Sequence, residues 1–158
     1  MASDSSKDGS VRTVARNPKA RYDYHIVETW EAGIVLTGTE IKSVRAGKVN
    51  IKGAYGILRR GEVWLEGMNI SPYESGGYVN HEPMRSRKLL MTRREIRRLI
   101  GAVEQKGQTL IPLDVHIRNR HAKVTMALAR GKKTHDKREE LKKKAADREV
   151  ARAMRERQ

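Results

Sequence analysis

The sequence contains no cysteine and no phenylalanine, and its large aromatic residues are Trp30, Trp64 and five tyrosines. Without cysteine there is no disulfide framework, no thiolate metal site and no cysteine nucleophile. That absence fits a reducing, intracellular setting, so a cytoplasmic protein is expected. No apolar run approaches the roughly 18 residues of a membrane span. Met1 to Ser10 is rich in Ser, Asp and Lys and lacks the apolar stretch of a secretory signal. Integral membrane proteins and disulfide-stapled secreted domains are therefore set aside. Acid is scarce relative to base: 19 Asp and Glu face 34 Lys and Arg among 158 residues, a net charge of +15. With 37% apolar residues the core is modest, and the length suits one domain with tails.

A surplus of this size repels itself unless a polyanion offsets it, and nucleic acid is the commonest such partner. An anionic membrane is the rival, but it needs a basic helix with a bulky apolar face, and none is found. Both the tail beyond Gly131 and the rest of the chain are basic, so the tail alone does not create the surplus.

The expected organisation is a flexible N-terminal arm over residues 1–20, one folded domain over 21–130 and a basic tail over 131–158. Tyr24 to Leu36 reads as a strand, with Ile26, Trp30, Ile34 and Leu36 on alternate positions. Glu28 shares their parity, so a bulge is expected near Glu31-Ala32-Gly33. Thr37-Gly38-Thr39-Glu40 is a capping box that opens a short helix. Ala54–Leu58 and Glu62–Met68 read as strands joined by a turn at Arg59-Arg60-Gly61. Ser71 to Pro83 reads as a long loop. Thr92-Arg93-Arg94-Glu95 is a second capping box, and Ile96, Leu99, Ile100 and Val103 form the stripe of the strongest helix. The last elements form a hairpin, Ile111–Ile117 and Val124–Leu128, turning near Asn119. Strands outnumber helices and alternate half-buried, which predicts a mainly β fold: an OB-like, partly open antiparallel barrel with two packed helices. In the tail, Glu139–Lys143 and Glu140–Lys144 favour helix, but Leu141, Val150 and Met154 are too few to dock it. A tail disordered when free and helical against a polyanion is expected.

Enzyme motifs are missing. The five histidines form no H-x-x-x-H pair, and no phosphate loop, G-x-S-x-G elbow or G-x-G-x-x-G turn occurs. No metal, cofactor or catalytic residue is expected. The basic residues are more informative. Glu95 is the single acid between Met84 and Val103, against seven cations that include Arg85, Arg87 and Lys88. A one-signed surface of this kind suits phosphate binding.

The run Glu31-Ala32-Gly33-Ile34, followed by Leu36, Gly38, Glu40, Lys42, Ser43, Arg45 and Gly47, resembles the signature of the SmpB family, the SsrA-binding proteins of bacterial trans-translation. Arg87-Lys88-Leu89-Leu90, Gly131-Lys132-Lys133 and Asp136-Lys137-Arg138 are similar to its other landmarks, in the same order. The resemblance implies an OB-like barrel that binds the tRNA-like domain of tmRNA and carries it to stalled 70S ribosomes, without catalysis. It also implies a tail that enters the decoding centre and mRNA channel, and a link to elongation factor Tu through alanyl-tmRNA. Asn17 and Glu31 match positions implicated in holding the RNA, and Lys19, Arg87, Lys88 and Leu90 lie in matching segments as contacts or supports. Lys132, Lys133, His135, Asp136, Lys137 and Arg138 match the ribosome-binding tail. Pro18 departs from the family pattern, where a basic residue is common. Two other readings remain at this point: a generic basic ribosomal or nucleoid protein, and a small RNA-processing enzyme.

Overall fold

The computed structural model describes residues 11–77, 79–131 and 134–156. The chain runs β1 (Arg12–Arg16), α1 (Pro18–Asp23), β2 (Tyr24–Ile34), α2 (Gly38–Arg45), β3 (Val49–Asn50), β4 (Tyr55–Arg59), β5 (Glu62–Glu66) and β6 (Asn69–Ile70). It continues through β7 (Arg87–Leu90), α3 (Arg93–Lys106), β8 (Thr109–Arg118), β9 (His121–Gly131) and α4 (Thr134–Glu156). Seven strands form one antiparallel sheet in the order β1-β8-β4-β5-β7-β2-β9, with β8 also pairing β9. The sheet curls toward a ring whose β4–β8 join is the one pair Gly56 with Leu110. The barrel is therefore open, and the fold is OB-like. At that join a Cβ on Gly56 would lie 2.9 Å from the Leu110 Cβ, so only glycine permits the approach.

Both capping boxes form. Thr37 and Thr92 each accept from the amide three residues on, and Glu40 and Glu95 accept in return from the cap amides. Gly107, in the left-handed region at φ 63°, ends α3. Asn119 and Arg120, at φ 49° and 69°, make the tight β8–β9 turn.

The strand pattern hides a change of face. The bulge in β2 lies between Ile26 and Glu28, not at the expected Glu31-Ala32-Gly33. Tyr24 and Ile26 before it pack with Ala20, Ile111, Leu113, Ala127 and Ala129 on the outer face, under α1. Trp30, Ala32 and Ile34 after it join the barrel core, with Val44, Leu65, Leu89, Leu99, Val115, Val124 and Met126. A second bulge, between Pro112 and Asp114, does the same in β8. An extra residue moves the following side chains to the opposite face, so β8 and β9 carry one apolar cluster on each side.

The expected flexible arm does not hold for its second half; residues 1–10 lie outside the described residues. Arg12–Arg16 pairs with β8 along Asp114 to Ile117, and Pro18–Asp23 is helical with Pro at the start. These elements borrow their apolar partners from distant strands, so no local periodicity announces them. Strands β3, β6 and β7 were also not anticipated, each being only two to four residues long. The tail is a 23-residue helix, Thr134–Glu156. It stays solvent-facing: Leu141, Val150 and Met154 are exposed. Lys137 ties its first turns to the body, 3.0 Å from Asp23 and above the Tyr22 ring.

The polar centre of the body is fully buried. Arg87 donates from Nε to Glu40 Oε2 at 2.6 Å, from Nη1 to the Met68 carbonyl at 2.5 Å and from Nη2 to the Pro83 carbonyl at 3.1 Å. Arg85 donates to Glu40 Oε1 at 2.6 Å, and the Thr37 amide donates to the same oxygen at 2.9 Å. Arg87, Glu40, α2, β7 and the 71–83 loop are thus knitted together. Burial pushes the Glu40 carboxyl up, but the hydrogen bonds from Arg85, Thr37 and Arg87 outweigh it and hold the pKa at about 2.

Removing one partner of a buried pair strands the other charge. Arg87→Ala is therefore expected to cost about 3–5 kcal/mol of folding stability, measured by urea unfolding. Glu40 titrates near 4.5 when unexposed to these partners and at about 2 in the fold. Its contribution of about 3 kcal/mol is present above the unfolded value and lost as pH falls from about 4.5 toward 2. Unfolding midpoints measured across that window should fall, and Glu40→Gln should flatten the dependence.

Candidate nucleic-acid interface

The outer face of β7, β2, β9, β8 and β1 brings together Glu31, Lys88 and Leu90 of the residues singled out from sequence. Paired residues on neighbouring strands share a face. Glu31 pairs with Thr125, which pairs with Asp114, which pairs with Arg16. Gly33 pairs with Leu90 on one side and Lys123 on the other. These residues therefore form adjacent rows outside the barrel. Lys88, two residues from Leu90, takes the same side, while Arg87 and Leu89 point inward.

Glu31 sits at the middle of a hydrogen-bonded cluster. Its Oε2 accepts from His116 Nε2 at 2.7 Å and from Arg118 Nε at 2.9 Å. His116 Nδ1 meets Asp114 Oδ1 at 2.7 Å, and the Thr125 hydroxyl donates to that oxygen at 3.0 Å. The ring is buried, whereas Glu31 keeps about a third of its side chain exposed. Partial burial raises the Glu31 carboxyl, and the bonds from His116 and Arg118 outweigh this, leaving its pKa below the ordinary carboxylate value. The carboxylate stays ionised and fixed in direction, an acceptor set in a basic surface. A second acid, Asp114, lies one histidine ring away.

Leu90 is 57% exposed and lies over Gly33, where a Cβ would be 3.3 Å from its Cδ1. It offers an apolar contact beside Glu31. Lys88 is half-exposed and loosely paired with Glu62 at 3.7 Å. Lys19 is exposed on α1. Asn17 precedes α1; its Nδ2 donates to the Pro112 carbonyl at 3.0 Å and its amide donates to the Leu113 carbonyl at 2.9 Å. It pins α1 to β8 and lines a shallow cleft with Thr13, Arg16, Arg21 and Asp114.

Arg87 is corrected as a direct contact. It has no exposed surface and its donors are spent inside the body, so it supports the strand that presents Lys88 and Leu90. In the tail, Lys137 is held by Asp23 and Tyr22 and Arg138 is exposed. Lys132 and Lys133 lie outside the described residues. His135 and Asp136 belong to the start of α4, and their side chains are likewise outside what is described. The outer face and the tail are thus separate surfaces joined at α1.

Sequence reading missed His116, Asp114 and Arg16. A signal for the first two exists: Asp114 and His116, with Arg118, alternate with Val115 and Ile117, which places them opposite the core. Among the described residues no group of three or more His, Asp or Glu is disposed to hold a metal ion. No helix among them is long and apolar enough to cross a membrane.

Comparison with known proteins agrees with this geometry. The family model described as "SmpB protein" matches residues 14–156. The chain is 55% identical over 150 residues to the SsrA-binding protein of Bacillus velezensis, covering 95% of this chain and 96% of the relative. It is 56% identical over 151 residues to the SsrA-binding protein of Nostoc punctiforme, covering 95% and 97%. A solved chain described as "tmRNA-SmpB: a journey to the center of the bacterial ribosome" matches with a TM-score of 0.63 and 54% identity, over 75% of this chain and 84% of that one. The fold, the motifs in their order and these matches together make the chain a member of the SmpB family of SsrA-binding proteins.

Proposed function

We propose that this protein is a non-catalytic RNA-binding adaptor that binds the tRNA-like domain of tmRNA and delivers it to stalled ribosomes. The observation that carries the reading is the Glu31 cluster: an oriented carboxylate between an apolar side chain, Leu90, and cations on the same face. Cations alone grip any polyanion, because phosphate contacts carry no sequence information. RNA recognition adds exposed bases and 2′-hydroxyls, whose donors need fixed acceptors. Glu31 supplies such an acceptor, Leu90 an apolar contact to a base or sugar, and Lys19 and Lys88 the phosphate contacts. Asn17 keeps α1 against the sheet so that these groups stay in register.

The basic tail is the second half of the proposal. Its helix gathers Lys137, Lys144, Arg148, Arg152 and Arg155 along one side and is attached at its root. We assign it to ribosomal RNA, in the decoding centre and mRNA channel, with Arg138 and the neighbouring cations as contacts. Elongation factor Tu is expected to meet the complex through alanyl-tmRNA, in the cytoplasm.

A competition titration of labelled tmRNA against bulk tRNA and duplex DNA at fixed salt tests the first half. tmRNA should win clearly; equal competition by all three would reduce the protein to a generic polyanion binder. Glu31→Gln keeps the shape of the side chain while removing its charge, and should weaken tmRNA binding about tenfold, as expected for loss of one charge-assisted hydrogen bond. Unchanged or tighter binding would remove Glu31 from the interface. Deleting residues 131–158 should leave the melting transition and tmRNA affinity near those of the full chain, yet abolish tagging of the nascent peptide in a reconstituted translation assay.

A further inference from the structure

The molecule has a cleft apart from the Glu31 cluster, between α1 and the turn that joins β3 to β4. We propose that it is a socket for a single unpaired nucleotide of the bound RNA, an inference that rests on the RNA-binding reading above. The cleft holds about 400 Å³. That is near the low end of the roughly 300–1,000 Å³ of ligand pockets, room for a base and its sugar but not for a helix or a peptide strand. Its floor is apolar: Ala20, Ala54 and Ile111 line it and are buried.

Tyr24 and Tyr55 provide aromatic walls, and Tyr55 is 48% exposed although it is a large ring on a strand. An exposed ring beside an apolar floor is what an unstacked base needs, because it exchanges one stacking partner for another. Lys19 and Lys52, both exposed, stand at the rim from opposite elements, suited to the phosphates on either side of an inserted nucleotide. Asn17 and Thr109 add polar groups for a base edge or ribose hydroxyl. The acid in the lining, Asp23, is taken up by Lys137 at 3.0 Å, so the socket keeps a positive balance.

The walls are already set. The Asn17 side chain fixes the start of α1 to the Pro112 carbonyl at 3.0 Å. Across the cleft, the Lys52 amide donates to Asn50 Oδ1 at 2.9 Å and the Ala54 amide to the Ile51 carbonyl at 3.0 Å, with Gly53 at φ +77° making the bend. Little ordering is left to occur on binding, which favours affinity. Asn17 also lines the shallower cleft with Arg16 and Asp114, so the two clefts adjoin at that residue.

The test measures tmRNA affinity for the full-length protein and for Tyr55→Ala, Tyr55→Phe, Lys52→Ala and Glu31→Gln, against intact tmRNA and a series with single abasic sites in unpaired positions. Tyr55→Ala should lose about tenfold, the scale of one base–aromatic stack, while Tyr55→Phe stays near the parent. One abasic position should lose the same factor and lose nothing more in combination with Tyr55→Ala. Lys52→Ala should weaken binding to every RNA of the series by a similar factor. If Tyr55→Ala binds like the parent, or its loss adds to that of every abasic site, the socket is wrong. The RNA reading would still stand if Glu31→Gln weakens binding in the same assay, and would fail if the parent protein has no preference for tmRNA. Free mononucleotides at millimolar concentration should not displace tmRNA. Displacement that depends on Tyr55, with RNA affinity indifferent to it, would make the socket a site for a free nucleotide and overturn the proposal.

Discussion

Glu40 and Arg87 are two opposite charges with no access to water, and the interior around them is arranged to make that tolerable. Transfer of each ion out of solvent costs several kcal/mol, and attraction offsets it only when the remaining donors and acceptors are satisfied. Here they are: Arg87 reaches carbonyls on both sides, and Glu40 also takes the Thr37 amide and Arg85. The pair therefore ties the cap of α2 to β7 and to the loop before it. Those elements carry Lys88 and Leu90 on the other side of the same strand. A buried charge pair thus sets the position of the exposed face proposed for RNA, and that face inherits its geometry from groups with no solvent exposure.

On the outer face the same chemistry is used differently. His116 lies between Glu31 and Asp114, each about 2.7 Å from a ring nitrogen. With carboxylates at both ends, the ring fixes the direction of two acidic side chains that would otherwise rotate among solvent-facing rotamers. Arg118 and Thr125 complete the set. A surface crowded with cations gains selectivity from an acceptor held still, because a mobile carboxylate would simply neutralise a neighbouring lysine.

The legible parts of the sequence are those whose cause is local. Thr37 with Glu40, and Thr92 with Glu95, announce helix starts because both partners of each cap lie within one turn. Ile111–Ile117 and Val124–Leu128 announce a hairpin because the turn between them is short. The strand at Arg12–Arg16 and the helix after it were not legible, since their burial comes from β8 and from Ile111 and Leu113, far along the chain. The bulges in β2 and β8 were misplaced or unseen because an apolar residue at every second position looks the same whether or not the strand changes face midway. Of the candidate site, Glu31, Leu90 and Lys88 come from a motif resemblance and share one face, and Asn17 lies beside it at the start of α1. Arg87 came with the same motif but lies inside, because Glu40 and the Met68 and Pro83 carbonyls make burial affordable for a side chain that is ordinarily exposed. In the sequence His116 is one of five scattered histidines, and strand pairing is what brings it to Glu31.

The final helix has one further property. Leu141 and Val150 are nine residues apart, which sets them about 180° apart around the axis at 100° per residue, and Met154 falls about 40° beyond Val150. The rod thus has no greasy side on which to lie down, and charge surrounds it. Counted the same way, Lys137, Lys144, Arg148, Arg152 and Arg155 fall within about 80° of one another and Glu139, Glu140 and Asp147 outside that arc, so the rod offers a polyanion one cationic stripe. Its girth, about 10–12 Å with side chains, then sets the minimum bore of any tunnel that receives it.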